Sequence, residues 1–211
     1  MSMGFLLALA FSLSPQMGEC PVHQVLLLEG TVRVVYGCNR GYPEFDRAAA
    51  RHFPHSSGLS YGGFPPTPIR EATVQYCPRC REAEAEWRSR VHADAMRKAR
   101  RLYKFGLYAR AERQLYRALM AAFRDVQAHL LLADVYEKQG NTRAAISHHN
   151  AAIAFALDEH PYVSFVRLYL RTGDCKRACD VFQHGFQRFP ALGSDSSLRL
   201  ELADECKECP P

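Results

Sequence analysis

The chain has 211 residues, of which 47% are hydrophobic and 23% charged, and carries a net charge of +5 and eight cysteines. These proportions are those of a globular chain able to build a core, which excludes a disordered, highly charged tail. The length allows one large domain, or a small one joined to an array.

Residues 1–19 read as an export signal. Gly4 to Leu13 is an apolar run of ten residues, too short to span a bilayer at roughly 20 residues per crossing. Ser14, Pro15 and Gly18 follow it, although no Lys or Arg precedes it and no small-x-small cleavage site is visible. The expectation is an exported chain, periplasmic or extracellular, with no membrane span once the signal is removed.

Residues 20–80 form a small α+β block. Gln24 to Leu28 and Thr31 to Tyr36 read as strands, and Glu29-Gly30 between them reads as a hairpin turn. Pro43 to Phe53 has a proline at a helix start and helical apolar spacing. Ser56 to Pro68 is expected to be loop, and Thr73 to Tyr76 a last short strand.

From Arg81 onward the pattern is helical. A first helix should run to about Phe105, since Gly106 can end it. The segment 106–119 then echoes itself: Gly106, Ala111, Leu115 and Ala118 recur as Gly140, Ala145, His149 and Ala152, each 34 residues later. A third copy has Tyr169, Gly173, Ala178, Phe182, Gly185 and Pro190, with its alanine one residue short of the period. Such a period means helix–turn–helix units that must stack to bury their apolar faces. Repeats are expected at 92–125, 126–158 and 159–192, within a repeat region of 81–193. A capping helix should occupy 194–211, with Ser194-Asp195 at its start and Leu198, Leu202 and Cys206 on one face.

Ala133, Tyr136, Gly140, Ala145, His149 and Ala152 together resemble the tetratricopeptide repeat (TPR) family. His149 departs from the pattern and is read as a hydrogen-bonded core histidine. The resemblance implies a mainly α array with a concave groove that binds a protein or peptide. Its lining would be Met96, Arg100, Tyr103, Lys104, Leu130, Asp134, Glu137, Val163, Arg167 and Arg171. Members that clamp a C-terminal carboxylate carry Lys and Asn where Met96 and Arg100 stand here, which argues against that clamp. A groove of mixed charge suits a peptide with both signs or some acidic excess.

The cysteines fall into two groups. Cys20-Pro-Val-His23 and Cys77-Pro-Arg-Cys80 are knuckles 53 residues apart, able to close a tetrahedral Cys3His site for structural zinc. They resemble bacterial zinc-ribbon domains, in which such pairs flank segments like Tyr36-Gly37 and Gly62-Gly63. Two other readings stay open: disulfides among Cys20, Cys38, Cys77 and Cys80, or thiol–disulfide oxidoreductase chemistry at Cys77 and Cys80. The strand–CPRC–helix order resembles glutaredoxin-like proteins, but no further strands follow it.

In the second group Cys175 and Cys179 lie at i,i+4 and Cys206 and Cys209 at i,i+3. If their helices pack antiparallel, Cys179–Cys206 and Cys175–Cys209 can both form, resembling twin-bridged helical hairpins. Four thiolates holding a second zinc are the alternative.

The run Arg88, Arg90, Arg97, Lys98, Arg100, Arg101 and Lys104 is read as a solvated helix face supported by Glu84 and Glu86, with no nucleic acid expected. His52 and His55 are read as surface residues. No Gly-rich phosphate loop or nucleophile elbow is present, so the expected function is a non-catalytic adaptor or scaffold.

Overall fold

The computed structural model describes residues 18–36, 42–58, 60–62 and 69–190. In order, they form β1 (Leu28–Tyr36), α1 (Pro43–His52), β2 (Ser60–Gly62), β3 (Glu71–Tyr76), α2 (Pro78–Lys104), α3 (Tyr108–Ala121), α4 (Val126–Lys138), α5 (Thr142–Ala154), α6 (His160–Arg171) and α7 (Cys175–Arg188). The chain divides into two compact units at Trp87/Arg88, inside α2. The expected export signal core at 4–13 and the capping helix at 194–211 lie outside the described residues.

In the first unit the sheet order is β2-β1-β3, with β1 parallel to β2 and antiparallel to β3. Leu28 faces Tyr76 and Arg33 faces Glu71 across the antiparallel ladder. The expected hairpin at Glu29-Gly30 is therefore wrong, because both residues lie inside one continuous strand, opposite Gln75 and Val74. Gly30 is needed there for clearance: a Cβ on it would stand 2.8 Å from a ring carbon of Tyr76. The reversal lies earlier, where Gln24 takes φ 53° and its N–H donates to the Cys20 carbonyl at 2.8 Å. Two smaller differences follow. The stretch expected as loop contains β2, and α2 begins at Pro78, whose fixed φ suits a first helical turn.

The second unit shows the repeat in its backbone. Gly106, Gly140 and Gly173 take φ of 70°, 73° and 73°. Around each, the same pair of bonds closes the preceding helix: Gly106 to Tyr103 and Leu107 to Leu102, Gly140 to Glu137 and Asn141 to Tyr136, Gly173 to Leu170 and Asp174 to Tyr169. This is the left-handed glycine cap, and it sends each chain into its returning helix. Ala99 and Ala133 on the first helices, and Ala111, Ala145 and Ala178 on the second, are all 0% exposed. Only a methyl group at these positions lets paired helices approach closely.

Larger side chains fill the space between. Leu115, Leu119, Leu132 and Val135 pack with the alanines of α2–α4, while Tyr162, Phe165, Val166, Tyr169 and Phe182 build the core around α5–α7. The fold is mainly α and TPR-like, preceded by a small strand-containing region that holds a cysteine/histidine cluster.

Candidate functional site: a buried metal-type cluster and a polar repeat face

Cys20 and His23 stand on the tight turn that opens the first unit. Cys77 follows β3, and Cys80 lies in the first turn of α2. Their four ligand atoms lie within 4.8 Å of one another, the one such cluster among the described residues. Cys20 Sγ and Cys80 Sγ are 3.6 Å apart, and His23 Nδ1 is 3.6, 3.7 and 3.3 Å from the sulfurs of Cys20, Cys77 and Cys80. A tetrahedral zinc ion with ordinary Zn–S and Zn–N bonds requires ligand separations of about 3.8 Å for S···S and about 3.6 Å for S···N. The donor set and spacing fit such an ion.

All three cysteines are 0% exposed, packed with Phe53 and flanked by Phe45 and Trp87. Backbone bonds fix them. The Cys77 N–H donates to the His55 carbonyl at 2.8 Å, and the Cys80 N–H points at Cys77 Sγ at 3.4 Å. Burial pushes the Cys20 thiol up, but hydrogen bonds from the backbone and ring of His23 outweigh it and bring the group down to about 6. Burial pushes Cys80 up to about 12, helped by its sulfur neighbours.

The ten groove positions separate by depth. Met96 (4% exposed) and Leu130 (7%) are buried. Tyr103, Glu137, Val163 and Arg167 are half-buried, and Arg100, Lys104, Asp134 and Arg171 are exposed. Two of these contacts join neighbouring helices. Arg171 of α6 donates to Glu137 of α4, and His149 Nε2 donates to the same carboxylate at 3.4 Å. These partners hold Glu137 low against the effect of its burial. Although much of the Asp134 residue is exposed, partial burial of its carboxyl raises it, and the nearby Glu137 charge adds to the rise. Tyr103 of α2 is likewise pushed up, first by burial and then by Asp134. The face shared by α2, α4 and α6 is therefore acidic at its middle, with Arg100 and Lys104 on its first-repeat side.

His149 is the expected core histidine: 1% exposed, bonded to Glu137 and stacked on Phe165 at 5.0 Å. A second polar network was not foreseen. Tyr136 donates to Glu112 at 2.9 Å and meets the Tyr116 hydroxyl at 2.9 Å, while His148 stacks on the Tyr136 ring at 5.5 Å. His129 Nε2 donates to the Phe123 carbonyl at 3.0 Å, which leaves its Nδ1 to accept from His148 Nδ1 at 3.2 Å. Burial, followed by the neighbouring His129 and His149, lowers His148 to about 4. Two adjacent histidines were the sole sequence sign of this.

Cys175 and Cys179 are half-buried on α7. Their expected partners Cys209 and Cys206, and also Cys38, lie outside the described residues. His52 is exposed and His55 half-buried, where the His55 backbone, not its ring, supports the cluster. No helix among the described residues is long and apolar enough to cross a membrane.

No protein-family model matches this chain, and no curated protein does. Among solved structures, the chain is similar to the TPR2B domain of yeast Sti1 in a pHsp70 complex (14% identity, TM-score 0.48), covering 56% of this chain and 97% of that one. It is also similar to the TPR2AB domain of yeast Sti1 in a pHSP90 complex (14%, TM-score 0.49), covering 59% of this chain and 51% of that one. A mutant O-GlcNAc transferase from Thermobaculum terrenum (18%, TM-score 0.45) is matched over 55% of this chain and 22% of its own.

Proposed function

We propose that the protein is a non-catalytic adaptor that holds a protein or peptide segment against the face shared by α2, α4 and α6. The observation that carries this reading is the succession of α2, α4 and α6, each turned back into its returning helix by the same glycine cap. Such a stack presents one face repeatedly, and along it lie Arg100, Lys104, Asp134, Glu137, Arg167 and Arg171. The Glu137–Arg171 pair gives that face a fixed arrangement before any partner arrives. Fixed polar groups on a rigid support lower the cost of ordering a flexible segment.

In the same reading, Cys20, His23, Cys77 and Cys80 hold a structural zinc ion. Three sulfurs with no solvent exposure leave no open coordination position and no approach for a disulfide substrate. That burial favours a structural role over oxidoreductase chemistry at Cys77 and Cys80. Export to a bacterial periplasm or beyond, and the bridges Cys175–Cys209 and Cys179–Cys206, complete the proposal. They rest on the sequence pattern.

The test is capture from envelope extracts by the full chain and by Arg100→Ala/Arg167→Ala, with helicity checked for both. The expected outcome is loss of a partner that the parent retains, at unchanged helicity. A parent that retains nothing, or a variant that retains as much, overturns the adaptor reading. Metal analysis is expected to give one zinc per chain with no insulin reduction. Reductase activity that disappears in Cys77→Ser would install the enzyme instead.

A further inference from the structure

The three glycine-capped turns of the array share a backbone and differ in chemistry at one place. In the second turn, Gln139-Gly140-Asn141, the Asn141 side chain accepts from the Ala144 N–H at 3.1 Å. In the third, Thr172-Gly173-Asp174, Asp174 accepts from the Arg177 N–H at 3.1 Å. Both caps are polar, as the start of an exposed helix requires. The first turn is Phe105-Gly106-Leu107, and α3 begins on Leu107 with no side-chain cap.

Neither apolar residue is used by the core. Phe105 is 68% exposed and Leu107 42% exposed, on either side of a glycine that is itself exposed. The backbone makes no demand for them, since Leu107 forms the same bond to the residue five before it that Asn141 and Asp174 form. Within a helical turn of this tip stand Arg101, Lys104 and Arg110, all exposed and without an ion pair among the described residues. Arg101 lies over the Phe105 ring at 6.0 Å. The charge near the tip is one-sided: residues 100–113 carry five Arg or Lys (Arg100, Arg101, Lys104, Arg110 and Arg113) against Glu112 alone.

We infer that the α2–α3 turn is a docking tip for an anionic lipid surface. An apolar apex ringed by cations is complementary to a bilayer whose headgroups are anionic. The two side chains reach the acyl boundary, roughly 5–10 Å below the surface, while the guanidinium and ammonium groups stay at phosphate level. Arginine and lysine stems reach both environments from one backbone position. The other two turns also carry cations, Lys138 and Arg143 at the second and Lys176 and Arg177 at the third. Their apices are polar, with an acidic cap at the third, so they lack the apolar element. The array would thus be held at a membrane by one corner, with its α2/α4/α6 face left to a peptide.

The experiment is co-sedimentation of the full chain with vesicles of phosphatidylcholine alone and of phosphatidylcholine with phosphatidylglycerol. The parent should bind the anionic vesicles only, and less as salt rises. Phe105→Gln/Leu107→Asn copies the second turn, so it restores a cap and should melt no lower than the parent. Its vesicle binding should fall by at least roughly tenfold. Arg110→Gln alone should weaken binding roughly fivefold. A parent that ignores anionic vesicles, or a double variant that binds them as tightly, overturns the inference. Self-association of the parent that the double variant loses, without vesicle binding, would assign the tip to a second copy and overturn it as well.

Discussion

The two units are held together by different means. Three of the six buried residues at the centre of the first unit are cysteines of the metal-type cluster, supported by Leu27, Ala48 and Phe53. The clusters of the array contain no buried cysteine and are built from alanine, leucine, valine and aromatic rings spread over successive helices. A core of the first kind is too small to be secure by burial alone, so under the proposed function the metal ion would supply the missing stability. A core of the second kind gains stability locally, repeat by repeat.

The widest separation between the units should come from chelation or from Cys80→Ser. Loss of the proposed zinc removes on the order of 10 kcal/mol of folding free energy from the first unit. Amide exchange should then become fast in β1 and β3 while α4 to α6 stay protected. Loss of protection in both would break the contrast.

Phe165→Ala makes the opposite cut. Phe165 is 1% exposed between His149 and Tyr169, and its truncation should cost about 3–5 kcal/mol. Calorimetry should show the array transition lowered, with bound zinc unchanged.

His148 supplies a pH test confined to the array. Its folded value of about 4 lies below the ordinary histidine value of 6.5, so the unfolded chain binds the proton more readily between these values. Stability should therefore fall as pH drops from 6.5 to 4, by on the order of 1–2 kcal/mol once solvent screening of this half-buried ring is counted. His148→Val, which copies Val181 at the matching place in the next repeat, should flatten that slope in urea titrations at stepped pH. An unchanged slope would remove His148 as its source.

The smallest effect concerns the turn. Nothing lies within 4 Å of a Cβ placed on Gly140, so Gly140→Ala meets only the backbone cost of φ 73°, about 1 kcal/mol. A much larger loss, read from urea midpoints, would mean that the turn carries packing as well.

Much of the array was legible because its signals are local. A glycine that must adopt positive φ and an alanine that must touch a neighbouring helix leave little choice of residue, so Gly106, Gly140, Ala111 and Ala145 reveal the period directly. The cysteine cluster was legible because two-residue spacing is itself the shape of a knuckle turn. Gly30 misled for the complementary reason. Glycine marks close approach as well as turns, and only the position of Tyr76 tells the two apart. The short parallel pairing of β2 with β1 left no sign at all, since three residues carry too little pattern. The partners of His148 were hidden similarly, being contributed by α3 and α4 and not by its own helix.

By itself, the amino-acid order determined the repeating helical pairs, the turns between them and the four residues suited to a metal. These depend on backbone torsions and on spacing within a few residues, which are written along the chain. Tertiary structure alone decided that Glu137 is shared between Arg171 and His149, that Met96 and Leu130 lie in the core, and that Phe105 and Leu107 remain outside it. Burial and pairing are properties of surfaces brought together from distant segments, and a one-dimensional pattern does not say which side chains those surfaces will cover.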